Sequence, residues 1–247
     1  MTNDTPDMPG QHAEQEDITK GGEAELRRHR IAKLERCIAR GDEPYKYLYE
    51  RTHTIQQARS AFEDLEARAD GAEFEPLPAA LAGRIVARRV QGKSTFMDIR
   101  DELGRIQIFL GQKQVGEDAY EGAKDLDIGD FIGVRGAIKR TRRNEITLFA
   151  QEYCLLSKSL RAAAEKYHGL SDVETRYRRR YLDLVANPEV MDIFRKRIQM
   201  IDAMRHWLLN QGFLEVETPM LHPIPGGATA RPFITHHNTY DTDFYLR

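Results

Sequence analysis

The residues of this chain best suited to meet an unpaired nucleic base are Phe96, Gln107 and Arg89. A phenylalanine ring stacks on a base face, a glutamine amide reads a base edge, and an arginine contacts base or phosphate. All three fall in a stretch with alternating apolar and polar residues, which reads as β-strands. Periodicity alone leaves a second reading open, since a phenylalanine in the middle of a strand is more often core than surface.

Other groupings could do chemistry and are discounted on context. Gly92-Lys93-Ser94 imitates the end of a phosphate-binding loop, but Ala87 stands where the first glycine is required. A hairpin also surrounds it, rather than strand, loop and helix. Arg143-Asn144-Glu145 is similar to a nucleotide-binding triplet of certain ligases, yet it too falls at a predicted hairpin. His236 and His237 are adjacent, so they face opposite sides of a strand and make a poor pair of metal ligands; they read as structural. Cys37 and Cys154 lie far apart with no metal-binding spacing, which points to a reducing compartment and no structural zinc.

Between Leu81 and Ala150 the hydrophobic period is about two. Five strands are predicted, over 81–90, 94–100, 105–110, 131–139 and 145–150, with a helical segment at 116–126 between the third and fourth. That order is the order of an OB-fold barrel, whose central strands bind single-stranded nucleic acid. Upstream, residues 1–20 are acidic, punctuated by proline and glycine, and expected to be a disordered tail. Helices are predicted over 23–40 and 54–69, and 74–78 reads as a linker. The first helix carries Arg27, Arg28, Arg30, Lys33, Arg36 and Arg40 on one face. That face is either solvated or a contact for a phosphate backbone. The same two readings apply to Arg176-Tyr177-Arg178-Arg179-Arg180-Tyr181.

Near the C-terminus a 23-residue amphipathic helix is predicted over 189–211. Asn187 serves as its N-cap, Pro188 as its first residue and Gly212 as its left-handed terminator. Val190, Ile193, Phe194, Ile201, Met204 and Leu208, with Ile198 less squarely, share its apolar face. Alternation predicts a strand over 213–221, and Pro219 suggests an edge or an interface.

The 247 residues hold one large domain or two ordinary ones, with 40% hydrophobic and 31% charged residues and a net charge of −2. Mean hydropathy is −0.61. No run is apolar enough for a membrane span or a signal peptide, so the expected location is the cytoplasm. The arginines nonetheless gather at 27–40, 84–89, 139–143 and 176–180, which is compatible with RNA binding on a near-neutral protein.

Gly212-Phe213-Leu214-Glu215-Val216-Glu217-Thr218-Pro219-Met220-Leu221 resembles motif 1 of the class II aminoacyl-tRNA synthetases. The long helix before it, and the lead-in Tyr181-Leu182-Asp183-Leu184, resemble the subgroup that charges aspartate, asparagine and lysine. The stretch from Pro225 to Asn238 is similar to lysyl-tRNA synthetases of bacterial type. The resemblance runs from about residue 23 to residue 247 and is most specific over 176–247.

This resemblance implies a mixed α+β chain: a disordered tail over 1–20, a helical segment over 21–78, and an anticodon-binding OB-fold over 79–157. A linker over 158–184 and the start of a class II antiparallel-sheet catalytic domain over 185–247 would follow. It implies that Phe96 stacks on the central anticodon uridine, that Gln107 and Arg89 recognise it, and that Glu145 lies near another anticodon base. Gly226, Gly227 and Ala228 would line a lysine pocket, and Phe194, Ile201 and Pro219 a homodimer interface. The implied partners are tRNA-Lys, L-lysine and ATP with Mg²⁺, in a reaction that makes lysyl-adenylate and transfers lysine to tRNA. Motifs 2 and 3, which supply the phosphate-binding arginines, do not occur in these residues, so no catalytic residue and no metal ligand is assigned. The expectation is an incomplete N-terminal portion that binds the anticodon and does not aminoacylate alone. The alternative is a non-catalytic nucleic-acid-binding module with a dimerising helix.

Overall fold

The computed structural model describes residues 11–161, 170–226 and 231–246, with side chains from residue 22 onward. It divides into two compact units, 1–171 and 172–247.

In the first unit, helix α1 (Gln11–Ala39) and helix α2 (Ile55–Ala69) precede five strands: β1 (Leu77–Gln91), β2 (Ser94–Arg100), β3 (Arg105–Gly111), β4 (Phe131–Arg140) and β5 (Ile146–Ser157). The strands close into a barrel in the order β1-β2-β3-β5-β4. All neighbours are antiparallel except β3 and β5. Alternation gives the reason for closure. Leu81, Ile85, Met97, Ile99, Ile106, Ile108, Leu110, Ile132, Ile138 and Leu148 point inward and are essentially inaccessible. Helix α2 lays Ile55, Ala58 and Phe62 into the same core. It starts on a capping box: Thr54 Oγ1 accepts from Gln57 N, and Gln57 Oε1 accepts from Thr54 N. Two short helices, α3 (Gln112–Val115) and α4 (Glu117–Ala123), fill the gap between β3 and β4.

Several boundaries differ from expectation. Residues 11–20, predicted as part of a disordered tail, are the opening turns of α1. The prolines and glycine that suggested disorder, Pro6, Pro9 and Gly10, all lie before Gln11; from there to Lys20 nothing breaks a helix. Strand β1 begins at Leu77, inside the predicted linker, because Leu77 and Pro78 already pair with β4. Strand β5 runs on to Ser157. A bulge at Arg135/Gly136 leaves Gln151 as the extra residue between Ala150 and Glu152, so the alternation changes phase there and hides the second half of the strand.

In the second unit, α5 (Val173–Arg178) and α6 (Arg180–Ala186) occupy what was expected to be linker, and α7 (Pro188–Asn210) follows. Asp183 is the reason for the first two. Fully buried, it accepts from Arg176 Nε and Asn187 Nδ2, each at 2.7 Å, and pairs with Arg180. Asn187 therefore sits at the predicted N-cap position but spends its side chain on Asp183, not on the backbone of α7. The far end follows the sequence reading. Gly212 is left-handed at φ +86°, Phe213 N donates to Leu208 O and Gly212 N to Leu209 O, which is a Schellman closure.

The predicted strand 213–221 does not form. Only β6 (Leu221–His222) pairs, with β8 (Thr242–Leu246), which also pairs with β7 (Ile234–His237). Residues 213–220 lie outside every strand of the described residues. On α7 only Val190 is buried, and Ile193, Ile201, Met204 and Leu208 stay exposed.

Candidate nucleic-acid interface

One face of the barrel outside the core is apolar. Register puts Arg89 opposite Phe96, Phe96 opposite Phe109, and Phe109 opposite Phe149, one residue from each of β1, β2, β3 and β5. The three rings form a row with centroids 5.1 and 5.2 Å apart, tilted against one another by 58° and 47°. They are half-buried, so each keeps part of its surface open. This answers the question that periodicity left open: Phe96 lies on the outer face, among rings, and not in the core.

The rings floor a groove of about 780 Å³. Its walls include Arg89, Gln107 and Glu145, and Arg140, Arg142 and Arg143 at the β4–β5 hairpin. All four residues singled out for base recognition therefore come together. Phe109, Phe149 and the hairpin arginines were not singled out. For Phe109 a signal existed, since it is two residues from Gln107 on the same strand and hence on the same face. Phe149 needed the parallel β3–β5 pairing, which alternation cannot reveal.

Hydrogen bonding decides which basic residues remain for an anion. On α1, Arg36 and Arg40 bind Asp125 at 2.6 and 2.7 Å, and Lys33 binds Asp127 at 2.5 Å. Arg30 donates to the carbonyls of Ile128 and Ser159. The phosphate-backbone reading of that basic face fails for these four, because they hold α1 to the barrel. Arg84 donates to Gly129 O and lies over the Phe131 ring, and Arg88 donates to Ala123 O. Arg140 is bidentate to Glu66. Arg176 and Arg180 serve Asp183, and Arg178 pairs with Glu174. By contrast, Arg89, Arg142 and Arg143 are exposed, and their side chains make no hydrogen bond or ion pair among the described residues. The free positive charge of the barrel groove thus lies at its two ends.

The discounted motifs stand where context put them. Gly92 and Lys93 form a two-residue hairpin with Gly92 at φ +56°. Asn144 turns the β4–β5 hairpin at φ +64°. His236 pairs with Asp243 at 2.9 Å, while His237 packs on the rings of Tyr240 and Phe244. Gly226 lies in the open, with nothing within 4 Å of where a Cβ would stand; Gly227 and Ala228 lie outside the described residues.

Residues 79–156 match the family described as OB-fold nucleic acid binding domain. Residues 172–247 match tRNA synthetases class II (D, K and N). Over 223 residues the chain is 51% identical to a lysine–tRNA ligase of Pelotomaculum thermopropionicum, covering 90% of this chain and 42% of that protein. It is 48% identical over 225 residues to that of Moorella thermoacetica, covering 91% of this chain and 44% of the other. The Roseiflexus sp. protein of the same name is also 48% identical, at 90% and 45% coverage. Over nine-tenths of its length the chain is similar to lysine–tRNA ligases. It spans less than half the length of the relatives it matches. Among the described residues no group of three or more His, Cys, Asp or Glu side chains could hold a metal ion. No helix of the described residues is long and apolar enough to cross a membrane.

Proposed function

We propose that this chain serves lysine–tRNA ligation in the cytoplasm, with the barrel binding the anticodon of tRNA-Lys. The observation that carries the reading is the row Arg89–Phe96–Phe109–Phe149, with Gln107 and Glu145 beside it. Rings accept splayed-out bases regardless of identity, Arg142 and Arg143 meet phosphate, and a glutamine amide supplies directional hydrogen bonds. Phe96 takes the central uridine, Gln107 and Arg89 read it, and Glu145 lies by a neighbouring base. In the family reaction the lysine carboxylate attacks the α-phosphate of ATP, with Mg²⁺, and the adenylate passes lysine to the tRNA ribose. A polypeptide of these 247 residues lacks the arginines of motifs 2 and 3 and does not form the adenylate by itself. Gly226, Gly227 and Ala228 contribute to the lysine pocket of the whole enzyme. The apolar stripe of α7 with Phe194 and Ile201, together with Pro219, contributes to its homodimer interface.

The test is binding of an anticodon stem-loop RNA to the full chain and to Phe96→Ala. Loss of one stacking ring should weaken binding by about 1–3 kcal/mol. An affinity equal to the wild type would remove Phe96, and with it the row of rings, from the site.

A further inference from the structure

Gln107 is nearly inaccessible, and Thr147, its partner in the parallel β3–β5 register, is fully buried. Thr147 Oγ1 donates to Gln107 Oε1 at 3.0 Å, and Gln107 Nε2 donates to Glu145 Oε2 at 3.0 Å. The two contacts differ in what they can fix. A hydroxyl both donates and accepts. Thr147 could therefore serve a flipped amide equally well, accepting from Nε2 while donating to Glu145 O, which stands 3.2 Å from the same Oγ1. A carboxylate only accepts. Flipping the amide would set Gln107 Oε1 against the Glu145 carboxylate, exchanging a charge-assisted hydrogen bond for repulsion between two acceptors. Glu145 thus chooses the orientation, and Thr147 steadies it by satisfying the buried Oε1.

An amide nitrogen carries two hydrogens, and Glu145 takes one of them. The other remains for the groove that Gln107 lines. From this arrangement, and resting on the anticodon reading above, we infer that Glu145 and Thr147 are positioning residues. Glu145 sets Gln107 with its donor toward the RNA and Thr147 holds the amide in place, so that the groove selects a base edge that offers a carbonyl acceptor over one that offers an amino donor. Uracil presents carbonyl oxygens on its pairing edge. Cytosine puts an amino group at C4, where it would meet the Gln107 N–H donor to donor. The rings cannot make this distinction, because stacking tolerates either pyrimidine.

The experiment measures Kd of the full chain for two RNA stem-loops that differ only in uridine or cytidine at the middle anticodon position. The wild-type chain should prefer uridine. In Glu145→Gln the new amide can donate or accept, so Gln107 is free to flip and the uridine-to-cytidine preference should fall about tenfold, the scale of one hydrogen bond to a charged group. Thr147→Val leaves the buried Gln107 amide without this partner and should weaken binding of both RNAs, and Thr147→Ser, which keeps the hydroxyl, should restore it. Glu145 is exposed at a hairpin, so its variant keeps the test sound if Thr147→Val fails to fold. If Glu145→Gln shifts both affinities together and leaves the ratio unchanged, Glu145 acts through charge alone and the inference is overturned. Equal wild-type affinity for the two RNAs overturns it as well. Failure of the wild-type chain to bind either RNA would instead overturn the anticodon reading itself.

Discussion

Replacing Lys158 by methionine should cost the barrel a large share of its stability. Lys158 Nζ donates to Asp125 O, Asp127 Oδ2 and Asp130 Oδ2, each at 2.7 Å. The side chains of Lys158 and Asp130 are wholly inaccessible. Methionine fills much of the lysine volume but leaves the Asp130 carboxylate buried with only two backbone donors, Ser159 N at 2.8 Å and Asp127 N at 2.7 Å. Breaking a buried pair from one side typically costs about 3–5 kcal/mol. Domains are stable by only about 5–15 kcal/mol, so the midpoint of thermal unfolding should fall by roughly 6–20 °C. Tryptophan fluorescence is the wrong probe, because the single Trp207 lies on α7 in the other unit. Amide hydrogen exchange in β1–β5 reports the barrel directly. The double variant Lys158→Met with Asp130→Asn should recover part of the loss, because the neutral amide no longer needs a counter-ion. Protection of the barrel amides within about 0.5 kcal/mol of the wild type, the range of an ordinary surface substitution, would refute the argument that this buried contact holds the barrel together.

The same ionic cluster gives a pH dependence. Burial pushes the Asp125 and Asp127 carboxyls up, but hydrogen bonds and charge from Arg36 and Arg40, and from Lys158 and Lys33, hold both below the usual range. With folded values below the unfolded value of about 3.9, their contribution is complete above that pH and disappears as pH falls through the folded values. Exchange protection of α1 should therefore drop below about pH 4, and protection unchanged to complete carboxylate protonation would contradict it. Stem-loop binding should weaken with salt with a slope near −1.4, about 0.7 for each of Arg142 and Arg143. Arg142→Ala or Arg143→Ala should each flatten it by about 0.7, and an unaltered slope removes that arginine from phosphate contact. A polypeptide of these residues should give no lysine-dependent exchange between pyrophosphate and ATP; robust exchange would show that adenylate formation does not need motifs 2 and 3.

The barrel was legible because its information is local. Alternation marks the inward residues, Gly92 and Asn144 mark turns, and Thr54 with Gln57 marks a helix start. The assignment of charge was not legible. Arg36 and Arg40 are separated from Asp125 by more than eighty residues, and Arg140 from Glu66 by more than seventy. A basic helix face looks the same in sequence whether it meets RNA or aspartates. The groove shows the same division. Phe96 and Gln107 could be picked out by residue type, but Phe149 enters only through the β3–β5 pairing. Gly136 takes part at the same place. Its hypothetical Cβ would stand 2.0 Å from Phe149 O, so the bulge that obscures β5 in the sequence also requires glycine beside the third ring.

Helix α7 and the segment after it separate two kinds of structural information. Residues 188–210 form the predicted helix even though Ile193, Met204, Trp207 and Leu208 remain exposed. Within a helix each backbone group finds its partner four residues away, and here both ends are also fixed locally, by Pro188 and by the Gly212 closure. Residues 213–220 carry an equally clear alternation, but a strand satisfies its backbone only through a neighbouring strand, and none of the described residues supplies one. Where one is present the sheet forms, as β8 shows by pairing with both β6 and β7. The two neighbouring segments therefore differ in kind: the helix satisfies its own backbone, while alternation alone does not make 213–220 a strand.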